Sequence, residues 1–322
     1  MRNTRLPTSV RIVEVGPRDG LQNESQFVPT ETKTALINQL AAAGLRHIEA
    51  AAFVSPRWVP QMADGAQVLS QIERQEGVIY SALVPNERGL EAALEARVGE
   101  IAVFAAASNT FSLKNINCSI EESLARFKPV IEKALCAGVA VRGYISCALG
   151  CPFEGSIDPK FVATVASRLS HMGCHEISLG DTIGVGTPLK TQRLIDACTK
   201  LVPVTALAGH FHDTWGMAIS NVYAALEAGI TVFDSSVGGL GGCPYSPGAT
   251  GNVATEDVVY LCEELGISTG IDLPALVAAA DVACSVTKRP NESRVARAWR
   301  AQEMRRAIPA SSPVTGGAVP SQ

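Results

Sequence analysis

The stretch TALAGHFHDTWGMAISNVYAALEAGITVFDSSV, residues 205–237, contains one complete strand–helix–strand unit of the chain. Its runs Thr205–His212 and Thr231–Val237 have the length of strands and are apolar enough to be buried on both faces. Between them, Met217–Ala228 has the length and composition of a helix, and Gly229 follows it as a terminating glycine would. Two buried strands joined by a helix predict a parallel sheet.

The same unit recurs along the chain. Six further strand-like runs precede it: Arg11–Val15, His47–Phe53, Val78–Val84, Glu100–Ala106, Ala140–Ser146 and His175–Leu179. The helical segments that alternate with the strands include Thr30–Ala43, Glu87–Ala96, Ile120–Ala137, Pro159–Met172, Pro188–Leu201 and, after the eighth strand, Thr255–Leu265. Eight strands alternating with helices predict an α/β protein with a closed (β/α)8 TIM barrel rather than an open sheet.

The remaining C-terminal sequence predicts helices outside the barrel. Residues Leu273–Ser285 and Ser293–Arg306 have helical patterns, whereas Ala307–Gln322 is rich in Pro, Ser, Gly and Ala. We therefore expect residues 1–306 to form a single barrel with additional helices from about residue 270, and residues 307–322 to be a disordered tail. The added helices could also supply the face of a homodimer.

Composition excludes several classes of protein. The 322 residues carry a formal net charge of −4 and are 47% hydrophobic, with no basic stripe for nucleic acid and no unbroken apolar run of membrane-spanning length. The nine cysteines are too few and too irregularly spaced for a disulfide scaffold, and no signal or transit segment is evident. We expect a cytoplasmic protein with reduced thiols that acts on a small molecule and binds neither nucleic acid nor membranes.

Polar residues cluster where the predicted strands end, which is where TIM barrels place their chemistry. Two of the five histidines, His210 and His212, stand two residues apart near the end of strand seven. Alternate residues of a strand point to one side, so both rings should face the barrel axis or mouth. A same-face pair of imidazoles at this position predicts a metal site rather than two locally bonded rings.

Oxygen ligands for such a metal are available nearby. The candidates are Asp19 after strand one, Asp181 after strand six, Asp213 beside the histidines and Asn252 beyond strand eight. Strands one and eight become neighbours when a barrel closes, which brings Asp19 and Asn252 toward strand seven. Imidazole, carboxylate and amide ligands without thiolate favour Mg²⁺ or Mn²⁺ over structural zinc, although two histidines and one carboxylate also suit non-haem iron.

A second set of charged residues lies near strands one and two. Arg18 sits in a turn bounded by Gly16, Pro17 and Gly20, which suggests that the backbone presents its cation inward, where it could stabilise an oxyanion. The two carboxylates Glu14 and Glu49 would be costly to bury without partners. Arg18, Arg46 or His47 could pair with them, so a purely structural ion pair is as plausible as a chemical role.

The glycine-rich segments do not match a nucleotide-binding fingerprint. Gly239-Leu240-Gly241 would need glycine at Pro244, and Gly184-Val185-Gly186 would need it at Leu189. The run Gly238–Gly242 is typical instead of a mobile loop that delivers Cys243 to the barrel mouth. The alternative is a turn that requires glycine and carries an idle cysteine.

Several motifs, in order and without an evident gap, resemble the 3-hydroxy-3-methylglutaryl-CoA lyase family of metal-dependent TIM-barrel lyases. The matching segments are Glu14–Asn23, Phe53–Met62, Lys114–Ser123, Arg142–Tyr144 with Ser146–Pro152, Ser178–Thr187 and Gly238–Asp257. The resemblance covers roughly residues 10–290. It implies cleavage of a branched hydroxyacyl-CoA to acetyl-CoA and acetoacetate, a retro-Claisen reaction that needs a divalent cation, Mg²⁺ or Mn²⁺.

The resemblance also implies roles for individual residues. Asp19, His210, His212 and Asn252 would hold the metal, and His210 or Asp19 would accept the substrate hydroxyl proton. Arg18 would stabilise the enolate oxygen and Cys243 would protonate the acetyl-CoA carbanion. Three further roles complete the set: Glu49 would orient the arginine, Asp181 would support the site or relay a proton, and Asn115 would lie where the CoA tail binds.

The sequence departs from the family pattern at a few positions, and other functions compete. Ala50–Ala52 replace residues that are usually hydroxylic, and Phe211 and Trp215 replace a smaller residue and a tyrosine. A longer branched 3-hydroxyglutaryl-CoA therefore remains an alternative substrate. The competing functions are a synthase that condenses acetyl-CoA with a 2-oxo acid, against which Cys243 argues because an acid suits cleavage, and a catalytically inactive barrel subunit, against which the complete ligand set argues.

Overall fold

The computed structural model describes residues 6–242 and 251–307, and its eight parallel strands form a closed barrel. The strands are β1 Arg11–Glu14, β2 His47–Ala52, β3 Ile79–Leu83, β4 Glu100–Ala106, β5 Ala140–Ser146, β6 Glu176–Asp181, β7 Leu207–Phe211 and β8 Val232–Ser235. β1 pairs with β2 on one side and with β8 on the other, where Arg11 lies opposite Val232 and Glu14 opposite Ser235. The predicted TIM barrel is confirmed.

Helices surround the barrel on the outside. They are α1 Thr30–Ala42, α2 Gly65–Gln71, α3 Glu87–Glu95, α4 Asn109–Ile116, α5 Ile120–Cys136, α6 Pro159–Met172, α7 Pro188–Cys198, α8 Ala218–Glu227, α9 Thr255–Glu264, α10 Leu273–Thr287 and α11 Arg294–Ala307. The expected helices are present, including α10 and α11 after the barrel. Helices α2 and α4 were not predicted, because seven or eight residues are too few to develop a clear apolar stripe.

Two features of the local sequence explain where helices begin and end. α5 begins with a reciprocal cap, in which the Glu122 backbone N–H donates to Ser119 Oγ and the Ser119 N–H donates to the Glu122 carboxylate. α6 ends at Gly173, whose φ of +109° is a left-handed conformation that favours glycine. Such caps satisfy backbone groups at the helix ends and turn the chain back toward the next strand.

The interior of the barrel contains charged side chains as well as apolar ones. Arg142 on β5 is buried and donates to Glu176 Oε1 and to Asp234 Oδ1, each at 2.6 Å, and to the Tyr144 hydroxyl at 3.0 Å. Arg11 forms a further ion pair with Glu176. Breaking a buried, fully hydrogen-bonded network of this kind leaves uncompensated charge, so it fixes the relative positions of β1, β5, β6 and β8.

Within residues 6–242 and 251–307, no helix is long and apolar enough to cross a membrane. Cys243 and the tail predicted at residues 307–322 lie outside the described residues, except for the backbone of Ala307 at the end of α11. The assignment of residues 1–306 to one domain and the homodimer stay predictions.

Candidate active site

The carboxyl end of β1 enters a tight turn that presents Arg18 and Asp19 to the barrel mouth. Residues Gly16–Gly20 form one turn of π-helix, with the Arg18 and Gly20 N–H groups both donating to the Val15 carbonyl. A Cβ on Gly16 would lie 2.5 Å from Glu14 Oε1, and one on Gly20 would lie 2.9 Å from Leu240 Cβ. Close packing therefore requires glycine at both positions.

Three candidate metal ligands meet at the mouth. One ligand atom from each of Asp19, His210 and His212 lies within 4.8 Å of the others, and the Nε2 atoms of the two histidines are 3.2 Å apart. Both histidine residues are buried. Two imidazole nitrogens this close, facing a carboxylate, are a donor set suited to a divalent cation, and in the described part of the chain this is the only such cluster.

The ring of His210 is held in a defined orientation by the carboxylate of Asp234. His210 Nδ1 lies 3.0 Å from Asp234 Oδ2, which also accepts from Ser178 Oγ at 2.6 Å. Because the carboxylate accepts the Nδ1–H, the Nε2 lone pair of His210 is directed at the ligand cluster. This hydrogen bond fits the residues to a metal-binding role.

Asn252 joins the same cluster from the segment after β8. Its Nδ2 donates to Asp19 Oδ2 at 2.8 Å and to the Leu240 carbonyl at 3.2 Å, while its backbone pairs with that of His212. The amide nitrogen is thus occupied by protein acceptors, which leaves the amide oxygen as the group able to bind a cation. The structure brings together all four predicted metal-ligand residues.

Arg18 is anchored between two carboxylates. Its Nε and NH2 atoms each lie 2.6 Å from Glu49 Oε2, and NH1 donates to Asp19 Oδ1 at 2.6 Å. The guanidinium also lies 5.6 Å from the centre of the Tyr144 ring, and the Tyr144 hydroxyl donates to Glu49 Oε2 at 3.3 Å. A buried cation with its position fixed on two sides is preorganised to stabilise a developing negative charge.

The electrostatics of the cluster set the charge of each group. Burial opposes ionisation of Asp19, but Arg18 and the two histidines outweigh it and lower the pKa of Asp19 to about 2. Burial and the neighbouring His210 lower the pKa of His212 to about 4. Although burial disfavours a charged ring, the hydrogen bond and charge of Asp234 raise the pKa of His210. Asp19 and His212 are therefore available as ligands, and His210 is the better proton acceptor.

The predicted partners of Glu14 are wrong. Glu14 is paired with none of Arg18, Arg46 and His47 among its described contacts; it accepts from the Gly16 and Val237 N–H groups at 2.8 and 2.9 Å and from Thr255 Oγ1 at 2.6 Å. Burial raises its pKa to about 7. Backbone amides and a hydroxyl take the place of the expected cation, because the segment after β8 and the start of α9 pack against Glu14, and a motif search does not reveal that packing.

Asp181 lies at the end of β6 and is bound by the loop that follows it. Its carboxylate accepts from the Val185 and Gly186 N–H groups at 3.1 and 2.8 Å, and burial raises its pKa to about 6. It makes no described hydrogen bond to Asp19, His210 or His212. Its role stays a prediction.

Comparison with known proteins decides the family. The HMGL-like family model matches residues 9–283. The chain belongs to the HMGL-like family. It is 59% identical over 297 residues to the Pseudomonas aeruginosa 3-hydroxy-3-isohexenylglutaryl-CoA/hydroxy-methylglutaryl-CoA lyase, covering 92% of this chain and 99% of that protein. The family expected from the sequence motifs is confirmed.

Two solved structures of HMGL-like proteins superpose closely on this chain. Hydroxymethylglutaryl-CoA lyase from Pseudomonas aeruginosa has a TM-score of 0.91 at 59% identity, covering 92% of this chain and 99% of that one. An HMG-CoA lyase from Acinetobacter baumannii, solved with coenzyme A and 3-methylmalate, has a TM-score of 0.86 at 37% identity, covering 97% and 98%. Both likenesses extend over nearly the whole barrel.

The other residues that the sequence singled out lie in different parts of this HMGL-like barrel. Asn115 lies on α4 after β4, and its place in the CoA region stays a prediction. Phe211 is buried between the barrel and its outer helices, beside Leu194 and Ala225, so it does not line the mouth and does not affect the choice of acyl chain as expected from the sequence. The alternation that turns His210 and His212 inward turns Phe211 outward. Trp215 is 70% exposed in the loop after β7.

Asp234 and Tyr144 are functional candidates that sequence reasoning missed. Asp234 orients His210 and is bound by Arg142, and Tyr144 contacts both Arg18 and Glu49. A signal was present, because Asp234 is the one acidic residue in the apolar run of strand eight. An acid inside a buried strand needs a partner, but its identity depends on the closure of the barrel.

The glycine-rich segment after β8 rests on a buried carboxylate. The Gly238 N–H donates to both oxygens of Glu256, at 3.1 and 3.0 Å, and burial raises the pKa of Glu256 to about 8. A buried acid with a raised pKa is stabilising in its protonated form. Its contribution is complete below the unfolded pKa near 4.5 and is lost as the pH rises through about 8.

We therefore expect Glu256→Gln to change how stability depends on pH. The parent should lose free energy of unfolding relative to the variant between pH 5 and pH 8, by on the order of a few kcal/mol, because each pKa unit is worth about 1.4 kcal/mol. Denaturant unfolding of both proteins at the two pH values measures this difference. The same parent-to-variant difference at both pH values would contradict it.

Proposed function

We propose that this chain is a divalent-metal-dependent carbon–carbon lyase that cleaves 3-hydroxy-3-methylglutaryl-CoA, or a close branched 3-hydroxyglutaryl-CoA, to acetyl-CoA and acetoacetate or its homologue. The observation that carries the proposal is the position of Arg18. Its guanidinium is buried, held by Glu49, and bonded through Asp19 to the cluster that contains His210 and His212. A retro-Claisen cleavage needs a Lewis acid at the substrate hydroxyl and a positive charge at the enolate oxygen. The metal-ligand set and the fixed guanidinium beside it could supply these two elements.

Asp19, His210, His212 and Asn252 would hold the cation. A bound divalent cation supplies a Lewis acid that lowers the pKa of the substrate's tertiary hydroxyl. The donor set of two imidazoles, a carboxylate and an amide oxygen suits Mg²⁺ or Mn²⁺, and two histidines with one carboxylate also suit iron. We propose Mg²⁺ or Mn²⁺, since carboxylate and amide oxygens are hard ligands.

The protein's own groups transfer two protons: one group accepts a proton from the substrate, and another donates a proton to the product. Asp19 or, where its Nε2 is not bound to the cation, His210 accepts the hydroxyl proton, and the oxygen's electron pair forms the ketone of acetoacetate. The carbon–carbon bond breaks, and its electrons move to the thioester as an enolate. Arg18 stabilises the enolate oxygen, Glu49 holds Arg18 in place, and Cys243 donates the proton that completes acetyl-CoA. Asp181, with its raised pKa, is suited to relaying a proton.

The residues of the site indicate the type of reaction more clearly than they indicate the acyl chain of the substrate. The Pseudomonas aeruginosa relative carries both an isohexenyl and a methyl substrate in its name. In this chain Ala50–Ala52 are small and Trp215 is exposed in a mouth loop, whereas Phe211 is removed from the mouth. Specificity for a longer branch would depend on Trp215 and on Ala50–Ala52 of β2 rather than on Phe211.

The remaining parts of the proposal concern the CoA tail and the setting. A relative has been solved with coenzyme A, which supports an acyl-CoA substrate, and Asn115 is our candidate for the region of the tail. We further propose a cytoplasmic protein with reduced thiols that is independent of nucleic acid and membranes. A homodimer is also part of this proposal, and sedimentation would test it.

We expect Cys243→Ser to fold normally and lose most of its turnover. A hydroxyl is a far weaker acid than a thiol, and general acid catalysis contributes about 10²- to 10⁴-fold, so kcat should fall by about 10²-fold or more. Steady-state cleavage measures kcat, and a matched Cys136→Ser variant, at an exposed position on α5, should retain parent activity. Turnover equal to that of the parent in Cys243→Ser would show that Cys243 has no role in the reaction.

Two incubations separate the lyase from the alternatives. Purified protein with cation is given 3-hydroxy-3-methylglutaryl-CoA in one, and acetyl-CoA with a series of 2-oxo acids in the other, and products are identified by mass spectrometry. We expect cleavage in the first and no condensation in the second. Condensation alone would establish the synthase, and neither reaction with cation bound would favour a different acyl chain or an inactive subunit.

A further inference from the structure

The glycine-rich segment after β8 is held by side chains from three separate parts of the chain. Its successive carbonyls each accept a hydrogen bond: Leu240 from Asn252 Nδ2 at 3.2 Å, Gly241 from Arg289 NH1 at 2.7 Å, and Gly242 from Asn23 Nδ2 at 3.3 Å. The arrangement fixes the backbone that leads toward Cys243.

Arg289 is the central member of this set. The same NH1 atom that donates to the Gly241 carbonyl lies 2.8 Å from Glu24 Oε1, so one nitrogen bridges the glycine-rich segment and the loop after β1. The Glu24 side chain is 8% exposed and that of Arg289 is 27% exposed. An ion pair this sheltered is less screened than a surface pair, and the geometry of a guanidinium limits how far either loop can shift.

The loop after β1, which contains Glu24, also carries the proposed catalytic residues Arg18 and Asp19. Glu24 lies five residues after Asp19 in the segment that follows the Arg18–Asp19 turn. Arg289 itself is fixed because Lys288 adopts a left-handed φ of +55° at the end of α10 and the Arg289 N–H donates to the Cys284 carbonyl at 3.1 Å. The contact therefore links a rigid helix end outside the barrel to both loops at its mouth.

We propose that Arg289, by bridging Glu24 and the Gly241 carbonyl, is a positioning residue that holds the Leu240–Gly242 segment against the loop carrying Arg18 and Asp19. The inference rests on the proposed function, in which groups on these two loops act on one substrate. Loss of the bridge leaves Arg18 and the metal ligands intact but lets the segment shift relative to them. A misplacement of about 1 Å can cost about 10²-fold in rate.

The test compares Arg289→Met, Arg289→Lys and the control Arg300→Met. Arg300 on α11 pairs with Asp281 on α10 and with Glu303, so it is an arginine of similar exposure away from the two loops. We expect Arg289→Met to lower kcat by about tenfold or more with KM for the acyl-CoA changed by less than about threefold. Arg289→Lys should recover most of kcat, because an ammonium can donate to both acceptors.

A second measurement does not depend on turnover. Amide hydrogen exchange of the peptide that covers Gly238–Gly242 should be faster in Arg289→Met and unchanged in Arg300→Met. Failure of the parent to cleave any substrate would overturn the proposed function, whereas this exchange comparison would still decide the bridge. The inference would be overturned if Arg289→Met had the kcat and the exchange rate of the parent. It would also be overturned if Arg300→Met changed both quantities as much as Arg289→Met does.

Glu24→Gln decides the matter if Arg289→Met does not fold. It removes the charge that fixes the guanidinium but leaves Arg289 able to reach the Gly241 carbonyl. We expect faster exchange of the same peptide and a kcat lower by about threefold or more, since a charge-assisted hydrogen bond is worth about twice a neutral one. Parent values for both quantities in Glu24→Gln would overturn the inference.

Discussion

Arg18→Gln should lower kcat by about 10³-fold, the loss expected when a preorganised donor to a developing oxyanion is removed. The reason lies in the geometry, since the guanidinium is held by Glu49 and Asp19, and among the described residues no other arginine or lysine forms an ion pair with these carboxylates. KM should change little, because the enolate charge exists only as the bond breaks. Steady-state kinetics of substrate cleavage give both quantities.

Arg18→Lys is the matched control for this prediction. A lysine keeps the charge but cannot reproduce the contacts from Nε, NH1 and NH2, so its kcat should lie between those of the parent and Arg18→Gln. Circular dichroism and thermal unfolding show whether each variant folds, since either change disturbs the buried Glu49. A folded Arg18→Gln with parent kcat would exclude Arg18 from the reaction.

His212→Ala should abolish turnover and metal retention together. The variant removes one of the two imidazoles of the cluster, and a Lewis acid contributes several kcal/mol to the transition state, so kcat should fall by more than about 10³-fold. Metal content after dialysis, measured by mass spectrometry, and Mn²⁺ binding, measured by electron paramagnetic resonance, report on the site independently of catalysis.

His171→Ala is the corresponding control. His171 is exposed in the last turn of α6 and bonds only locally among its described contacts, to Ser167, so its loss should leave both activity and metal content unchanged. A His212→Ala protein that keeps its metal but loses activity would assign His212 a role other than ligation. One that keeps activity in chelator-treated buffer would remove the metal from the mechanism.

Much of this fold could be predicted from sequence because its signals are local. Each strand is a short apolar run, and most long helices begin with a cap or end near a glycine, so the order of elements predicts the barrel. The pairing of β1 with β8 follows from closure alone, and it brings Asp19 and Asn252 into contact as expected. The short helices α2 and α4 were not predicted, because seven or eight residues are too few to develop a clear apolar stripe.

The site was less predictable where side chains meet across the barrel. The alternation of side chains along a strand correctly placed His210 and His212 on the same side. The same alternation turns Phe211 to the opposite side, and this was overlooked because only the residue type was considered. Asp234 could not be linked to His210 without knowing the register of β7 against β8, nor Glu14 to Thr255 without knowing the path of the chain after β8. Arg289 lies 48 residues after Gly241, and no motif connects the two.

The central claim is that this barrel cleaves 3-hydroxy-3-methylglutaryl-CoA with the help of a cation held by Asp19, His210, His212 and Asn252. The most direct measurement is product release from this thioester by purified protein, with Mg²⁺ or Mn²⁺ added and with chelator. The account predicts equimolar acetyl-CoA and acetoacetate with either cation and neither product with chelator. Equal product release from protein shown to be free of metal would contradict it, as would absence of cleavage with the cation bound.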